Sequence, residues 1–228
     1  MIGKTHRVGG LAFGAVASSI LFTGQDLSIA LPATTVILTG SAFGSLIPDL
    51  DHAGAELSKK HKLASSIVRL FADHRGVTHY GITSIVFCAI MALLNYLVIT
   101  SRSQLLIGIL CVGVVQATIK LVFTYTPRWL TKKAKRKVVI AGFIIPFILA
   151  FEFSTISEII IGYYLLGMGV GYISHLFLDS LTVSGVPFGK PWLNKNIKLG
   201  NLRTGEHERL VSNICYVITA LFLCIIVL

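Results

Sequence analysis

Apolar residues in this chain come in long runs, divided by short turns and by long basic loops in alternation. About seven apolar segments can be drawn, at 7–23, 28–47, 80–99, 103–124, 138–151, 156–181 and 210–228. A helix that crosses a bilayer needs about 20 predominantly apolar residues. The first segment is slightly short, and the fifth, "VVIAGFIIPFILAF", is clearly short and contains Pro146. The pattern predicts an all-α, polytopic membrane protein of about seven transmembrane helices, forming a single membrane-embedded helical domain over 1–228. Between the second and third segments, "SKKHKLASSIVRLF" sets Leu63, Ile67, Leu70 and Phe71 at helical spacing, with Lys59, Lys60, Lys62 and Arg69 interleaved. This predicts an amphipathic interfacial helix in a cytoplasmic loop at 53–73.

Composition sharpens the class. The 228 residues are 54% hydrophobic and only 13% charged, where a soluble domain carries about 25% charged residues. A net charge of +10 would suggest nucleic acid in a soluble protein. Here the basic residues obey the positive-inside rule, and no nucleic-acid partner is expected. Of the 20 Lys and Arg, all except Arg102 fall on one side of the seven-segment layout, including the loop "TPRWLTKKAKRK". That side is expected to be cytoplasmic, with the N-terminus inside, in a bacterial inner membrane. Lys4, His6 and Arg7 ahead of an apolar run resemble a signal peptide, but no convincing small-residue cleavage site follows, so the run reads as a retained first helix. The cysteines Cys88, Cys111, Cys215 and Cys224 lie in apolar runs without paired spacing, and read as core or lipid-facing residues.

The ionisable residues carry the chemistry. His175 and Asp179 stand four apart at the end of the sixth segment, on one helix face. Under the seven-segment layout the same membrane level receives His6, Asp49, Asp51 and His52 of "IPDLDH", and His74 and His79 of "DHRGVTH". Charged groups at membrane depth are costly and are functional candidates by default. Histidine with carboxylate, without thiolate, suits zinc, manganese or iron. His6, Asp49, Asp51, His52, His79, His175 and Asp179 are therefore candidate metal ligands. Arg75, in a turn made flexible by Gly76, could clamp a phosphate bidentately. Each piece also has a plainer reading: an interfacial histidine, a helix stop after Pro48, a capped surface loop, a polar pair between packed helices. "VSGVPFGKPW" reads as a turn-rich loop that could wall the site, with Trp192 and Trp129 suited to the interfacial belt.

Taken in order, "GSLIPDLDH", "HRGVTH" and "SHLFLDSLTVSGVPF", with His6 before the first helix, resemble the YdjM-like family of membrane-bound metal-dependent hydrolases. That family is similar in turn to the all-helical zinc phospholipase C and P1-type nuclease group. The resemblance implies one metal held by Asp49 or Asp51, His79, His175 and Asp179, and a second shared between Asp179 and His6. It implies one or two zinc ions, not three, because no counterpart of the later HxxxHxxxE helix follows Asp179. The expected function is metal-dependent hydrolysis of a phosphoester, lipid or lipid-linked, at the cytoplasmic face, with Asp51 or His74 moving the proton and Arg75 stabilising charge. The alternatives are a transporter, or a non-catalytic membrane protein using the cluster as an ion or structural metal site.

Overall fold

The computed structural model describes residues 3–55, 58–59, 62–71, 76–125 and 131–228. Among them are eight α-helices: α1 Gly3–Phe22, α2 Leu27–Gly44, α3 Lys62–Phe71, α4 Gly81–Ser101, α5 Gln104–Tyr125, α6 Lys132–Glu152, α7 Ser154–Ser180 and α8 Glu208–Val227. Two 3-10 turns, Pro48–Asp51 and Val77–His79, stand at the ends of α2 and α4. Among the described residues, five helices are long and apolar enough to cross a membrane: the Leu27–Asp51 stretch, α4, α5 through Phe123, α7 and α8. Sequence reading expected about seven. The other two segments are helical, with 20 residues in α1 and 21 in α6. They fall short in apolarity because α1 opens on Lys4, His6 and Arg7 and is rich in glycine and alanine, while α6 opens on five Lys and Arg within its first six residues.

Without water, helices gain little from the hydrophobic effect and associate through close packing of small residues. Here α2 and α7 lie side by side through two glycine pairs four residues apart, Gly40 and Gly44 on α2 and Gly167 and Gly171 on α7. A Cβ at Gly44 would sit 2.2 Å from the Met168 carbonyl oxygen, and one at Gly171 would sit 2.0 Å from that of Ser41. Backbone therefore touches backbone, and the Ser41 hydroxyl closes the seam by donating to Gly167 O at 3.0 Å. The helices run parallel: Ile37 meets Gly167, Ser41 meets Gly171, and Ser45 meets His175. Gly10 and Gly14 of α1 press on the same Ser41 from the other side. These contacts pack α1, α2 and α7 directly against one another.

The remaining helices flank this trio. α4 runs antiparallel to α7, with Phe87 stacked on Tyr172 at 4.6 Å and Asn95 beside Gly162. α5 and α6 form an antiparallel hairpin in which the Gln116 amide donates to Val139 O at 3.0 Å. α8 runs parallel to α1, from the Thr5 hydroxyl bonded to the Glu208 carboxylate to Phe22 packed with Ile226. α2 starts at Asp26, whose side chain accepts from the Ser28 N–H at 2.7 Å and caps the helix. The 182–202 segment folds back over the end of α7 through mutual backbone hydrogen bonds between Val186 and Ile197.

Candidate metal centre

The first turn of α1, the last turns of α7 and the two 3-10 turns meet at one end of the bundle. They deliver His6, Asp49, His79, His175 and Asp179 to one place. His6, His79 and His175 are 0–1% exposed and Asp179 is 2% exposed, so these groups face each other and not solvent. Among the described residues, two overlapping groups have ligand atoms close enough to hold a metal ion: His6, Asp49 and His175, and His79, His175 and Asp179.

The histidines are fixed from behind. His175 Nδ1 lies 2.7 Å from Ser45 O; since a carbonyl only accepts, Nδ1 carries the proton and the Nε2 lone pair points inward. His79 is held similarly. The Thr78 hydroxyl donates to Asp51 Oδ2 at 2.6 Å and lies 3.0 Å from His79 Nδ1. With its own proton given to Asp51, the hydroxyl accepts from Nδ1–H, and Nε2 is again the bare atom. The Tyr172 hydroxyl donates to Thr78 O at 2.5 Å and ties this turn to α7. The two bare Nε2 atoms then face each other at 3.2 Å, an arrangement that neutral imidazoles avoid without a cation between them. Two nitrogens bound to one tetrahedral zinc at about 2.0–2.1 Å stand about 3.3–3.4 Å apart.

Asp179 supplies the charge. Its Oδ1 is 3.3 Å from His6 Nε2, and its Oδ2 is 3.7 Å from the Nε2 of both His79 and His175. Asp49 Oδ1 reaches His175 Nε2 at 3.7 Å. His6 stacks on His175 with ring centroids 3.7 Å apart, and its buried Nδ1 has no hydrogen-bond partner among the described residues. A fully buried imidazole with an unsatisfied nitrogen is expensive; a cation, or the water on one, would relieve it. The donor set of imidazoles and carboxylates fits a divalent ion of the zinc, manganese or iron type.

Not every expected residue arrives there. Asp51 lies behind His79, 3.4 Å from Nδ1, where it orients the ring; it belongs to neither group. His52 is exposed and also belongs to neither, because its backbone ends the 3-10 turn by donating to Asp49 O. His74 and Arg75, the proton-moving and phosphate-clamping candidates, lie outside the described residues, as does Trp129. Sequence reading missed Ser45, Thr78 and Tyr172. Thr78 stands inside "HRGVTH" beside a ligand, and its position was the available signal. The loop expected to carry an amphipathic helix contains α3, whose Ser65 hydroxyl donates to Leu50 O at 2.9 Å and so braces the turn that carries Asp49.

The Thr78 arrangement makes a prediction. Groups that orient a ligand histidine typically contribute 10–100-fold in metal affinity. Thr78→Val should weaken divalent-metal binding by about that factor in a chelator competition, while Thr78→Ser should retain it. Equal affinity in Thr78→Val and the parent would remove Thr78 and Asp51 from the account of the centre.

The chain matches, over residues 1–228, a family model described as YdjM inner membrane protein. It is 31% identical over 91 residues to a Bacillus subtilis (strain 168) protein described as "Uncharacterized protein YvsG", a match that covers 40% of this chain and 49% of that protein. The chain thus spans about half the length of this curated relative. No solved structure matches it.

Proposed function

From the premise that this chain belongs to the YdjM inner membrane protein family, we propose that it is a metal-dependent hydrolase of phosphoesters, embedded in the bacterial inner membrane with its centre at the cytoplasmic face. The observation that carries this reading is the pair of bare imidazole nitrogens of His79 and His175, 3.2 Å apart, with the Asp179 carboxylate beside both. A divalent ion there, zinc by donor type, would be held by His79, His175 and Asp179. His6 and Asp49, with the shared His175, form the second group that could hold an ion. Such an ion, when bound, supplies Lewis acidity toward a phosphoryl oxygen and makes water a competent nucleophile near neutral pH.

The chain's own residues do the rest. Ser45 O and the Thr78–Asp51 pair hold the two imidazoles in one tautomer, so no reorganisation is needed when substrate arrives. Asp49, less deeply buried than its neighbours, marks the open side of the cluster. Arg75, immediately before Gly76, is assigned to the phosphate, where its planar fork matches two oxygens. His74 is assigned to proton movement. A site at the end of spanning helices favours a lipid or lipid-linked phosphoester over a soluble one.

The purified full chain should contain stoichiometric divalent metal by mass spectrometry and hydrolyse a member of a phosphodiester and phosphomonoester panel. A chelator should abolish both, and one of zinc, manganese or iron should restore them. Metal-free protein that none of these ions activates on any substrate would overturn the reading.

The sidedness is tested separately. In a cysteine-free background, Thr155→Cys should react with an impermeant thiol reagent on intact cells, and Lys132→Cys should react only after lysis. Both positions are exposed at opposite ends of the α6–α7 hairpin. The reverse pattern would place the centre on the periplasmic side.

A further inference from the structure

Beside the metal centre, α4, α7 and the 183–199 segment enclose a cleft of about 370 Å³. Ile173, Leu176 and Phe177 of α7, Ser84 of α4, and Phe188 and Ile197 of the overlying segment line it. We propose that this cleft holds a hydrocarbon tail of the substrate, so that the substrate is a membrane lipid whose phosphate is carried to the centre by its own anchored chain. The proposal rests on the hydrolase reading above.

Four observations support it. First, the rim of the cleft is apolar and open: Ile173 is 48%, Phe177 42% and Phe188 45% exposed, and Ile173 and Phe177 belong to α7, a helix long and apolar enough to cross a membrane. Second, it adjoins the ligands through covalent neighbours. Leu176 follows His175, and the Gly81 N–H, two residues after His79, donates to Phe188 O at 2.9 Å. A Cβ on Gly81 would meet the Phe188 ring at 2.6 Å, so this wall lies flat against the turn that carries His79. Third, its size suits a hydrocarbon chain: at roughly 30 Å³ for a water-sized group, the cleft has room for about a dozen methylenes. Fourth, the segment over it is built to sit in headgroups. Trp192 is 75% and Leu193 63% exposed, with Lys195 and Lys198 exposed nearby, the pairing that anchors a surface at the interface and attracts anionic lipid. The Val186–Ile197 hydrogen bonds of 3.0 and 2.8 Å hold the two arms of the segment together, so the cleft exists before a lipid enters.

The test uses the full chain in nanodiscs of phosphatidylethanolamine and phosphatidylglycerol, doped with phosphatidic acid bearing a mid-chain diazirine. Photolabelling mapped by mass spectrometry should concentrate on residues 173–177 and 188–197, above the level at the lipid-facing residues Leu93 and Ile144. Ser84→Phe should fill the cleft and lower cleft labelling severalfold while Leu93 and Ile144 label as before. Ile197→Trp, at a position 43% exposed, blocks the mouth without burying a large side chain and serves if Ser84→Phe does not fold. Even labelling over all lipid-facing residues, or cleft labelling unchanged in both folded variants, would overturn the proposal. Turnover decides the underlying reading independently. Loss of long-chain hydrolysis in Ser84→Phe, with a soluble short-chain phosphodiester still cleaved, supports both. Cleft labelling in a protein that cleaves no phosphoester keeps the lipid site and sinks the hydrolase.

Discussion

His175→Ala should leave the purified protein without metal, without turnover and substantially less stable, all from one substitution. His175 is the residue common to both groups that could hold an ion, and it is also the bond by which Ser45, at the end of α2, is tied to α7. Loss of a positioning group costs 10–100-fold in metal affinity, so loss of this shared ligand should exceed the upper end of that range. The stability loss has a separate origin. Asp179 would lose one of its nitrogen neighbours and the ion together, and breaking a buried charged cluster by removing one member costs roughly 3–5 kcal/mol. Changing His175 to Ala and Asp179 to Leu together should recover part of that stability and none of the metal, because the buried carboxylate is gone. Melting with and without chelator, beside metal content, separates the contributions: the chelator should lower the melting temperature of the parent and leave both variants unmoved. A parent melt indifferent to chelator, in a sample that holds no metal, would mean that the cluster is only a polar contact between packed helices.

Gly171→Val should be nearly as damaging, although the residue carries no chemistry. Its Cβ would lie 2.0 Å from the Ser41 carbonyl oxygen, and that atom is backbone within α2, unable to swing aside as a side chain can. Overpacking typically costs 1–3 kcal/mol, more where nothing yields, so a loss of roughly 3 kcal/mol is expected. The functional effect follows geometrically. Pushing α2 away from α7 withdraws Ser45 O from His175 Nδ1 and moves Asp49 off the cluster, so metal affinity should fall with stability. Gly113 of α5 is the control, since a Cβ there meets nothing within 4 Å. Gly113→Ala should change stability by no more than about 1 kcal/mol and leave metal content intact. If Gly171→Val binds metal as tightly as the parent, the glycine seam does not position the centre.

Much of this molecule was legible in the sequence. The low charged fraction and the long apolar runs determined an all-helical membrane protein, because a chain without water must satisfy its backbone internally. The His175–Asp179 spacing placed two candidate ligands on one face, since helix periodicity is local and needs no partner to be read. Histidine and aspartate at four helix ends pointed to one membrane level, and His6, Asp49, His79, His175 and Asp179 do stand together. The count of spans was less legible: hydropathy is graded, and α1 and α6 mix apolar runs with a basic first turn.

What tertiary structure alone decided is which of the neighbouring carboxylates and histidines face inward. Asp49, Asp51 and His52 follow one another within four positions, and nothing in their spacing separates them. A single 3-10 turn sends Asp49 toward His175, Asp51 behind His79, and His52 to the surface. The depth of α2 against α7 was settled in the same way. The glycines at 40, 44, 167 and 171 carry a readable four-residue spacing, but only their mutual contact shows that the two pairs belong to one seam. Local periodicity can say which side chains share a face. It cannot say which faces touch, because that choice is made by complementarity between segments more than a hundred residues apart in the chain.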